Sequence, residues 1–264
     1  MDLQLKSKTA FVSGSTQGIG FAIARQLLLE GAEVIINGRT QERVDLAVKR
    51  LKEEVPAAVI SGIAADFTSV AEVNQLLTVL PEIDILVNNV GIFELRPFAD
   101  IRDEDWTKFF EVNVMSGVRL SRLLLPKMLA KNWGRIIFIS SESAVNIPEN
   151  MIHYGMTKTA MLSVSRGLAT LTKDTQVTVN TILGGPTYSE GVAGVIEQIA
   201  AAQNQGVELV KKNLFKTLNP TSLVQRFIAP AEIANLAAYL SSPLAIATNG
   251  AALRADGGVL NTIL

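Results

Sequence analysis

SGSTQGIG, residues 13–20, stands between a short apolar run and an amphipathic segment, and this junction decides the fold. The run Thr9–Ser13 is typical of a buried strand, and apolar residues recur at helical spacing from Ile19 to Leu27. Glycines between a strand and a helix permit a tight turn, and the free N–H groups at the helix start favour a pyrophosphate. We therefore predict a dinucleotide-binding turn, with a purely structural glycine turn as the alternative. Its binding residues are Gly14, Ser15, Thr16, Gln17, Gly18, Ile19 and Gly20.

The alternation of strand and helix continues along most of the chain. Several short runs are apolar almost throughout, as in IIFIS, and such strands occur in parallel sheets covered by helices on both faces. Repeated strand–helix units give an open, doubly wound α/β sheet, and the absence of a Pro- or Ser-rich linker favours a single domain over 1–264. The seven predicted strands are Thr9–Ser13, Glu33–Asn37, Ala57–Ile63, Ile83–Asn88, Arg135–Ser140, Gln176–Ile182 and Ala251–Arg254.

Residues 187–226 interrupt this alternation. The stretch is helical in composition, contains no apolar strand run, and follows the sixth predicted strand. The carboxyl ends of such strands face the ligand crevice of a doubly wound sheet. We therefore expect a helical lid over the binding site, with an insertion that has no function as the alternative.

Composition excludes several classes of protein. The 264 residues include no cysteine, which excludes disulfide scaffolds, thiol catalysis and cysteine-based zinc sites. Because His153 is the single histidine, no histidine cluster exists for a metal, and we expect none. The formal net charge of −1 argues against a mainly electrostatic nucleic-acid partner. The start MDLQLKSKTAFVSG lacks a secretory pattern, and no apolar run reaches the roughly 18 residues of a membrane span, so we expect no membrane partner and a cytoplasmic location.

Arg39 indicates which dinucleotide binds. An NAD-binding protein usually offers a carboxylate at the end of the second strand, where this chain has Asn37-Gly38-Arg39. A guanidinium there can pair with a 2′-phosphate, which favours NADP(H) over NAD(H); the alternative is a solvated surface arginine. Asp66, at the end of the third strand, is a candidate acceptor for the adenine amino group or a plain turn aspartate.

Tyr154 and Lys158 stand four residues apart in a segment with helical spacing, which places them on one helix face. A tyrosine with the usual pKa of about 10 is a poor acid or base at neutral pH. A neighbouring ammonium group and an oxidised nicotinamide both favour the phenolate, so the pair suits proton transfer to a carbonyl oxygen.

Two further positions complete this candidate site. Ser141, at the end of the fifth strand, lies thirteen residues before the tyrosine and can hold the substrate oxygen. Ser140 and Ser143 are competing candidates, and each can equally be a strand-end cap. Asn113 lies in a long helical segment, where a buried amide either joins the network around the lysine or is a satisfied structural group.

The chain resembles the short-chain dehydrogenases/reductases over essentially its whole length. The resemblance rests on motifs that occur in the same order and at the same spacings as in that family. These are SGSTQGIG at 13–20, Asn88-Asn89-Val90-Gly91, Asn113, Ser141 with Tyr154-x-x-x-Lys158, Val179-Asn180, and LRADGG at 253–258.

The resemblance implies a Rossmann-type fold and a catalytic tetrad of Asn113, Ser141, Tyr154 and Lys158. In that mechanism Ser141 positions the carbonyl and Tyr154 is the acid/base. Lys158 holds the nicotinamide ribose, Asn113 anchors a proton-relay water, and Asn89 supports the sheet beside the adenosine. The resemblance also implies a homotetramer (or a homodimer), and the apolar helices around 103–131 and 151–172 give it a physical reason.

One departure from the family concerns the turn after the sixth strand. Gly184-Gly185-Pro186 stands where members usually have Pro-Gly, and losing that proline is expected to loosen the turn. Thr187 or Ser189 is expected to hold the nicotinamide carboxamide, and Ser189 better fits the family spacing.

The leading hypothesis is an NADP(H)-dependent oxidoreductase that interconverts a ketone or aldehyde and an alcohol by hydride transfer. A 3-oxoacyl carrier-protein reductase is one specific possibility, for which Lys127, Lys131 and Arg135 are a candidate basic patch. The alternative from a different class is a non-catalytic dinucleotide-binding redox sensor.

Overall fold

All seven predicted strands form in the computed structural model, which describes residues 1–263. The strands are joined entirely by parallel pairing in the order β3-β2-β1-β4-β5-β6-β7. Because the order reverses between the first and fourth strands, the crevice at their carboxyl ends is the expected ligand position. The bounds are β1 (Thr9–Val12), β2 (Glu33–Gly38), β3 (Ile60–Ala64), β4 (Ile85–Asn88), β5 (Gly134–Ser141), β6 (Val177–Gly184) and β7 (Ala252–Ala255).

The α-helices of the described chain cover both faces of the sheet. Strand side chains alternate between two apolar cores, so Ala10 and Val12 face one core while Phe11 faces the other. This double burial explains why the strands read as nearly continuous apolar runs, and it confirms the doubly wound α/β fold. The helices are α1 (Gly18–Leu29), α2 (Gln41–Glu54), α3 (Val70–Val79), α4 (Asp103–Phe110), α5 (Ser116–Ala130), α6 (Ile152–Thr170), α7 (Glu190–Ala202), α8 (Val207–Leu218) and α9 (Pro230–Ser241).

The segment around Asn113 is a π-helical turn rather than part of one α-helix. It spans Glu111–Met115 and joins α4 to α5. Widened turns of this kind re-aim side chains and are frequent at functional sites. Here the turn buries Asn113, which is 1% exposed, beneath the end of β4.

Gly184 does not loosen a turn, contrary to the expectation from its sequence context. It is the last residue of β6 and pairs with Ser141 on one side and Ala255 on the other. Hydrogen bonding on both sides therefore fixes this backbone. The turn itself begins at Gly185, where a Cβ would lie 2.6 Å from the backbone of Asp256.

Residues 187–226 form a helix pair, as predicted. Helices α7 and α8 contact each other through a small apolar cluster that includes Ile196, Ala200 and Val210. A bridge between Thr187 and Ile228 joins the two ends of the segment beside the main sheet. Within residues 1–263, every helix is too short or too polar to cross a membrane.

Gly20 is the position where the first helix approaches the strand-end turn most closely. A Cβ there would lie 2.5 Å from the carbonyl oxygen of Gly14 and 2.9 Å from Cα of Ser15. Since these are backbone atoms, they cannot rotate away. By contrast, a Cβ at Gly167 in α6 meets no atom within 4 Å.

We predict opposite effects of alanine at these two helical glycines. Gly20→Ala should lower the free energy of unfolding by about 1–3 kcal/mol through overpacking. Gly167→Ala should raise it by about 0.5–1 kcal/mol because alanine is the better helix former. Urea denaturation followed by circular dichroism measures both. A Gly20→Ala protein as stable as the wild type would contradict the close approach.

Candidate active site

Asn89 fastens the glycine turn to the central sheet. Its Nδ2 donates to the carbonyl oxygens of Ser13 at 3.1 Å and Gly14 at 2.8 Å. The Ser13 hydroxyl accepts from the backbone N–H groups of Asn89 and Val90 and donates to the carbonyl of Val87. The carboxyl ends of β1 and β4 are therefore joined through side chains as well as through the strand ladder.

Asn37 fastens the same turn from the other side, a role that the sequence analysis missed. Its Oδ1 accepts from the backbone N–H of Gly14 at 3.0 Å, and its Nδ2 donates to carbonyls at the end of β3. Ser15, predicted to contact the cofactor, is fully buried and donates to the Val12 carbonyl at 2.6 Å. Ser15 therefore shapes the turn from inside, whereas the rest of SGSTQGIG from Gly14 to Gly20 borders the crevice.

The crevice has a volume of about 370 Å³ and runs along the carboxyl ends of the strands. Arg39 and Asp66, both predicted cofactor contacts, line one end of it. Asp66 also accepts from the N–H of Thr68 at 2.9 Å, as in the turn interpretation that the sequence left open. Arg43, in the first turn of α2, lines the same end and was not predicted. No ion pair of the described residues includes either arginine, so both guanidinium groups are available to an anion.

Glu190, the first residue of α7, lies at the N-terminus of α1. Its carboxylate accepts from the backbone N–H of Gly18 at 2.8 Å. This N–H belongs to the helix start that favours a pyrophosphate, so the carboxylate holds the position of an anionic ligand. The contact also attaches the 187–226 helix pair to the glycine turn.

The reacting end combines side chains from β5 and α6. Lys158 Nζ is buried, donates to the carbonyl of Ile139 at 2.9 Å, and lies 5.6 Å from the centroid of the Tyr154 ring. Ser141 Oγ contacts the carboxylate of Glu142, accepts from the N–H of Ser143 at 3.1 Å, and is near enough to Tyr154 to lower the pKa of the phenol. The predicted serine, tyrosine and lysine are thus brought together at the carboxyl edge of the sheet.

The crevice and this reacting end meet at Gly91 and Phe93. A Cβ at Gly91 would lie 3.3 Å from Lys158 Nζ. The ring centroids of Phe93 and Tyr154 are 6.4 Å apart. Both Gly91 and Phe93 line the crevice. The backbone of Gly91 therefore leaves room for a ligand to pass from the glycine turn to the tyrosine.

The charges around Tyr154 differ from the expectation. Burial raises the pKa of Tyr154 above its ordinary value, the hydrogen bond with Ser141 lowers that pKa, and the charge of Glu142 raises it. Burial also lowers the pKa of Lys158 to about 8, against an opposing contribution from Glu142. The side chains by themselves therefore keep the phenol protonated, which suits a proton donor.

Asn113 satisfies its amide within the protein. Its Oδ1 accepts from the N–H of Ile92 at 2.8 Å, and its Nδ2 donates to the Ile92 carbonyl and to the Thr157 hydroxyl. A Cβ at Gly91 would lie 3.7 Å from the same Oδ1, so the amide borders the lysine end of the crevice. The structural interpretation of Asn113 holds, and its role in a proton relay stays a prediction.

The alternatives to Ser141 face elsewhere. Ser140 donates its hydroxyl proton to the carbonyl of Lys158 at 2.9 Å, inside the protein. Ser143 donates to Glu142 at 3.2 Å. Ser141 is therefore the serine hydroxyl that lies beside the tyrosine.

Of the two hydroxyls predicted to hold the carboxamide, Ser189 faces the crevice. It caps α7 by accepting from the N–H of Val192. Thr187 instead donates to the carbonyl of Gly185 at 2.8 Å.

His153, predicted to pack or lie at the surface, is buried with its ring centroid 4.1 Å from that of Phe109.

The predicted basic patch is wrong. Arg135 is buried and donates to the carbonyls of Gly134, Gln176 and Ser242, so it is part of the core. Lys131 pairs with Asp84 at 2.6 Å and with Glu82 at 3.0 Å. Lys127 alone stays exposed and free of a carboxylate partner among the described residues. The sequence pattern failed because the partners come from distant parts of the chain.

Comparison with known proteins agrees with this geometry. The family model described as "short chain dehydrogenase" matches residues 8–200. The chain belongs to the short-chain dehydrogenase/reductase family. It is 49% identical, over the full length of both chains, to the uncharacterized oxidoreductase YvrD of Bacillus subtilis. The family assignment confirms the resemblance and makes the chain an oxidoreductase.

Two solved structures of the same fold contain NADPH. The L-sorbose reductase of Gluconobacter frateurii, complexed with NADPH and L-sorbose, has 30% identity and a TM-score of 0.92 over the whole of both chains. An actinorhodin polyketide ketoreductase with NADPH has 29% identity and a TM-score of 0.86, covering 97% of this chain and 98% of its own. Both resemble this short-chain dehydrogenase along essentially its full length.

We predict that Glu190 competes with a dinucleotide for the N-terminus of α1. In Glu190→Gln the charge is lost while the size is kept, so NADPH should bind about fivefold more tightly, the equivalent of about 1 kcal/mol. Fluorescence titration measures the dissociation constant. Glu197→Gln, on an exposed face of the same helix, should bind NADPH like the wild type. Unchanged or weaker binding by Glu190→Gln would contradict the competition.

Proposed function

We propose that this protein is an NADP(H)-dependent oxidoreductase that interconverts a ketone or aldehyde and an alcohol, with Tyr154 as acid/base. The observation that carries the proposal is the cluster of Ser141, Tyr154 and Lys158 at the end of a crevice that begins at the glycine turn. The crevice connects the glycine turn, which suits a pyrophosphate, with Tyr154, which suits proton transfer. Hydride transfer between a nicotinamide and a carbonyl carbon needs both.

Tyr154 and Ser141 have different roles at the substrate oxygen. When bound, NADPH supplies the hydride, and Tyr154 donates a proton to the oxygen as it gains charge. Ser141 holds that oxygen in place, since its hydroxyl lies beside the phenol. In the reverse direction Tyr154 accepts the alcohol proton, and the positive charge of an oxidised nicotinamide opposes the effect of burial on the tyrosine's pKa.

Lys158 supports the same step in its protonated form. Its ammonium group beside the phenol favours the phenolate that forms as the proton leaves. The group reaches Gly91 at the edge of the crevice, where it can donate to a ribose hydroxyl. Asn113 fixes the neighbouring backbone through Ile92, and Asn89 keeps the glycine turn against the sheet.

The choice of NADP(H) over NAD(H) rests on Arg39 and Arg43. Two guanidinium groups lie at the adenosine end, and neither is in an ion pair with residues 1–263. They suit a 2′-phosphate, which accepts charge-assisted hydrogen bonds. The NADPH bound by both solved neighbours supports the same choice. Asp66 is placed to accept from the adenine amino group, and Ser189 to hold the carboxamide.

Three further features stay predictions from the sequence. These are the single domain over 1–264 with its lid at 187–226, the homotetramer or homodimer, and the cytoplasmic location. The contact between Glu190 and Gly18 supports the lid, because it joins the helix pair to the glycine turn. Reduction of 3-oxoacyl carrier proteins loses its support, since two members of the proposed basic patch are paired or buried.

Replacing Tyr154 tests the reaction. Tyr154→Phe should lower kcat for NADPH-dependent ketone reduction by about 10²- to 10⁴-fold, since it removes the proton donor. Binding of NADPH should persist. Steady-state absorbance at 340 nm and a titration measure the two, with Tyr239→Phe on α9 as control. NADPH binding without any Tyr154-dependent turnover would exclude this function and favour the redox sensor.

Replacing Arg39 tests the cofactor. Arg39→Asp should weaken NADPH binding by about 10- to 100-fold relative to NADH, because a carboxylate repels the 2′-phosphate. Arg43→Asp should act in the same direction. Arg122→Asp, at an exposed position of α5, should leave the ratio of the two dissociation constants unchanged. If the ratio also stays unchanged in Arg39→Asp, the assignment of NADP(H) is wrong.

A further inference from the structure

The carboxyl group of Glu142 is hydrogen bonded to the hydroxyl of Ser141. Glu142 follows Ser141 at the end of β5, and Ser141 Oγ donates to its Oε2. The backbone N–H of Ser143 donates to the same carboxylate oxygen at 2.7 Å, and the Ser143 hydroxyl donates to Oε1 at 3.2 Å. These contacts fix the carboxyl group beside Ser141, and the single hydroxyl proton of that serine lies between the two side chains.

Ser141 connects this carboxyl group with Tyr154. Its Oγ is near enough to the phenol to lower the pKa of Tyr154, and the charge of Glu142 also acts on that pKa. A hydroxyl oxygen can accept one proton while it gives up its own, so a serine can pass protons between two neighbours. Tyr154, Ser141 and Glu142 therefore form a chain that begins at the reacting end of the crevice.

The far end of this chain is open to solvent. The side chain of Glu142 is partly exposed, whereas Lys158 is buried. Among residues 1–263, those that line the crevice do not include Glu142, so a ligand in the crevice leaves it uncovered. A carboxyl group that meets both the serine hydroxyl and water can exchange protons with each of them.

We propose that Glu142 is a proton-relay residue, which restores the proton of Tyr154 through Ser141 after each reduction. Tyr154 gives its proton to the substrate oxygen and is left as a phenolate. The phenolate then takes the hydroxyl proton of Ser141, while Ser141 Oγ takes a proton from Glu142. Water returns a proton to Glu142, so one proton passes from solvent to the alcohol and only O–H bonds break and form.

This inference rests on the proposed function, because the relay serves the proton that Tyr154 donates. It also explains why the hydroxyl of Ser141 already donates to a carboxylate. With Glu142 ionised, the proton of Ser141 is directed toward it, as the structure shows. With Glu142 protonated, the carboxyl group becomes a donor and the proton of Ser141 is free for the phenolate.

The direction of transfer follows from the acidities of the groups. A carboxylic acid has an ordinary pKa of about 4 and a phenol one of about 10, so transfer to the phenolate is downhill. Burial and the charge of Asp256 raise the pKa of Glu142, against the hydrogen bonds from Ser141 and Ser143. The raised pKa lies closer to neutral pH, where a larger fraction of the carboxyl group then holds a proton to supply.

Charged groups on two further elements act on the same carboxyl group. Lys158 on α6 opposes its protonation, since an ammonium group favours a carboxylate nearby. Asp256, which follows β7, favours protonation of Glu142. The carboxylate of Asp256 itself accepts from the backbone N–H groups of Gly258 at 3.0 Å and Leu260 at 2.9 Å. These bonds stabilise the charge on Asp256, so Glu142 is the member of the pair that takes up a proton.

The first turnover distinguishes a relay from a structural role. In Glu142→Gln the side chain keeps its size and has no acidic proton. Because Tyr154 starts protonated, the variant should complete one turnover per site at a rate within about threefold of the wild type. Later turnovers wait for the tyrosine, and the steady-state rate should be about 10- to 100-fold lower. Stopped-flow absorbance of NADPH measures both phases, with whichever of cyclohexanone, ethyl acetoacetate and acetoin the wild type reduces fastest.

Rescue by a small acid is the second measurement. Glu142→Ala leaves space for a carboxylic acid beside Ser141, so acetate should raise its steady-state rate by about 10-fold, and chloride at the same ionic strength should not. Acetate should leave the wild type unchanged. Glu149→Gln, at an exposed position of the following loop, should behave like the wild type in both measurements.

Three outcomes would overturn the relay while leaving the proposed function intact. They are a first turnover of Glu142→Gln slowed as much as the later ones, a steady-state rate equal to that of the wild type, and no effect of acetate on Glu142→Ala. If neither variant folds, the wild-type rate in mixtures of H₂O and D₂O decides. Protons that move together give a curved dependence on the deuterium fraction, and a linear or flat one contradicts the relay. Failure of the proposed function looks different, because then Tyr154→Phe changes the turnover of no ketone.

Discussion

The hydrogen bonds of one partly buried amide hold the nucleotide end of this protein together. Asn89 Nδ2 bonds two consecutive carbonyls of the glycine turn, and Gly20 has no side chain that would separate them. This contact fixes the start of α1 against the end of β4, which sets the path of the crevice. Gly91, two residues further on, then brings the crevice to Lys158. Geometry at both ends of the site therefore follows from one local constraint between neighbouring strands.

The protonation states of Tyr154 and Lys158 depend on two effects, their burial and the charge of Glu142. Burial raises the pKa of Tyr154 and lowers that of Lys158, so both side chains are pushed toward their neutral forms. Glu142 raises both values and thereby keeps the lysine charged at the expense of the phenolate. A site with these preferences holds its proton on the tyrosine until a positive charge arrives nearby. The direction of proton transfer is then set by the oxidation state of the ligand beside it.

Sequence patterns were sufficient where a feature is local. The glycine turn, the seven strands and the Tyr154–Lys158 pair each depend on residues within a few positions of one another. Patterns failed where partners are remote: Arg135 reads as a surface cation but donates to Ser242, which lies 107 residues away. Asn37 carries no periodic signal, because its role depends on how β1 and β3 end beside it. Gly184 was misjudged since a strand end and a turn look alike without the pairing of β7.

The bridge between Thr187 and Ile228 has a consequence for how such proteins diversify. Because the helix pair leaves and rejoins the sheet at one place, its length and side chains are free to vary without moving any strand. The cluster of Ile196, Ala200 and Val210 gives the pair an interior of its own. Substitutions in that interior can therefore alter the packing of the helix pair while the strands that carry Ser141 and the glycine turn keep their pairing.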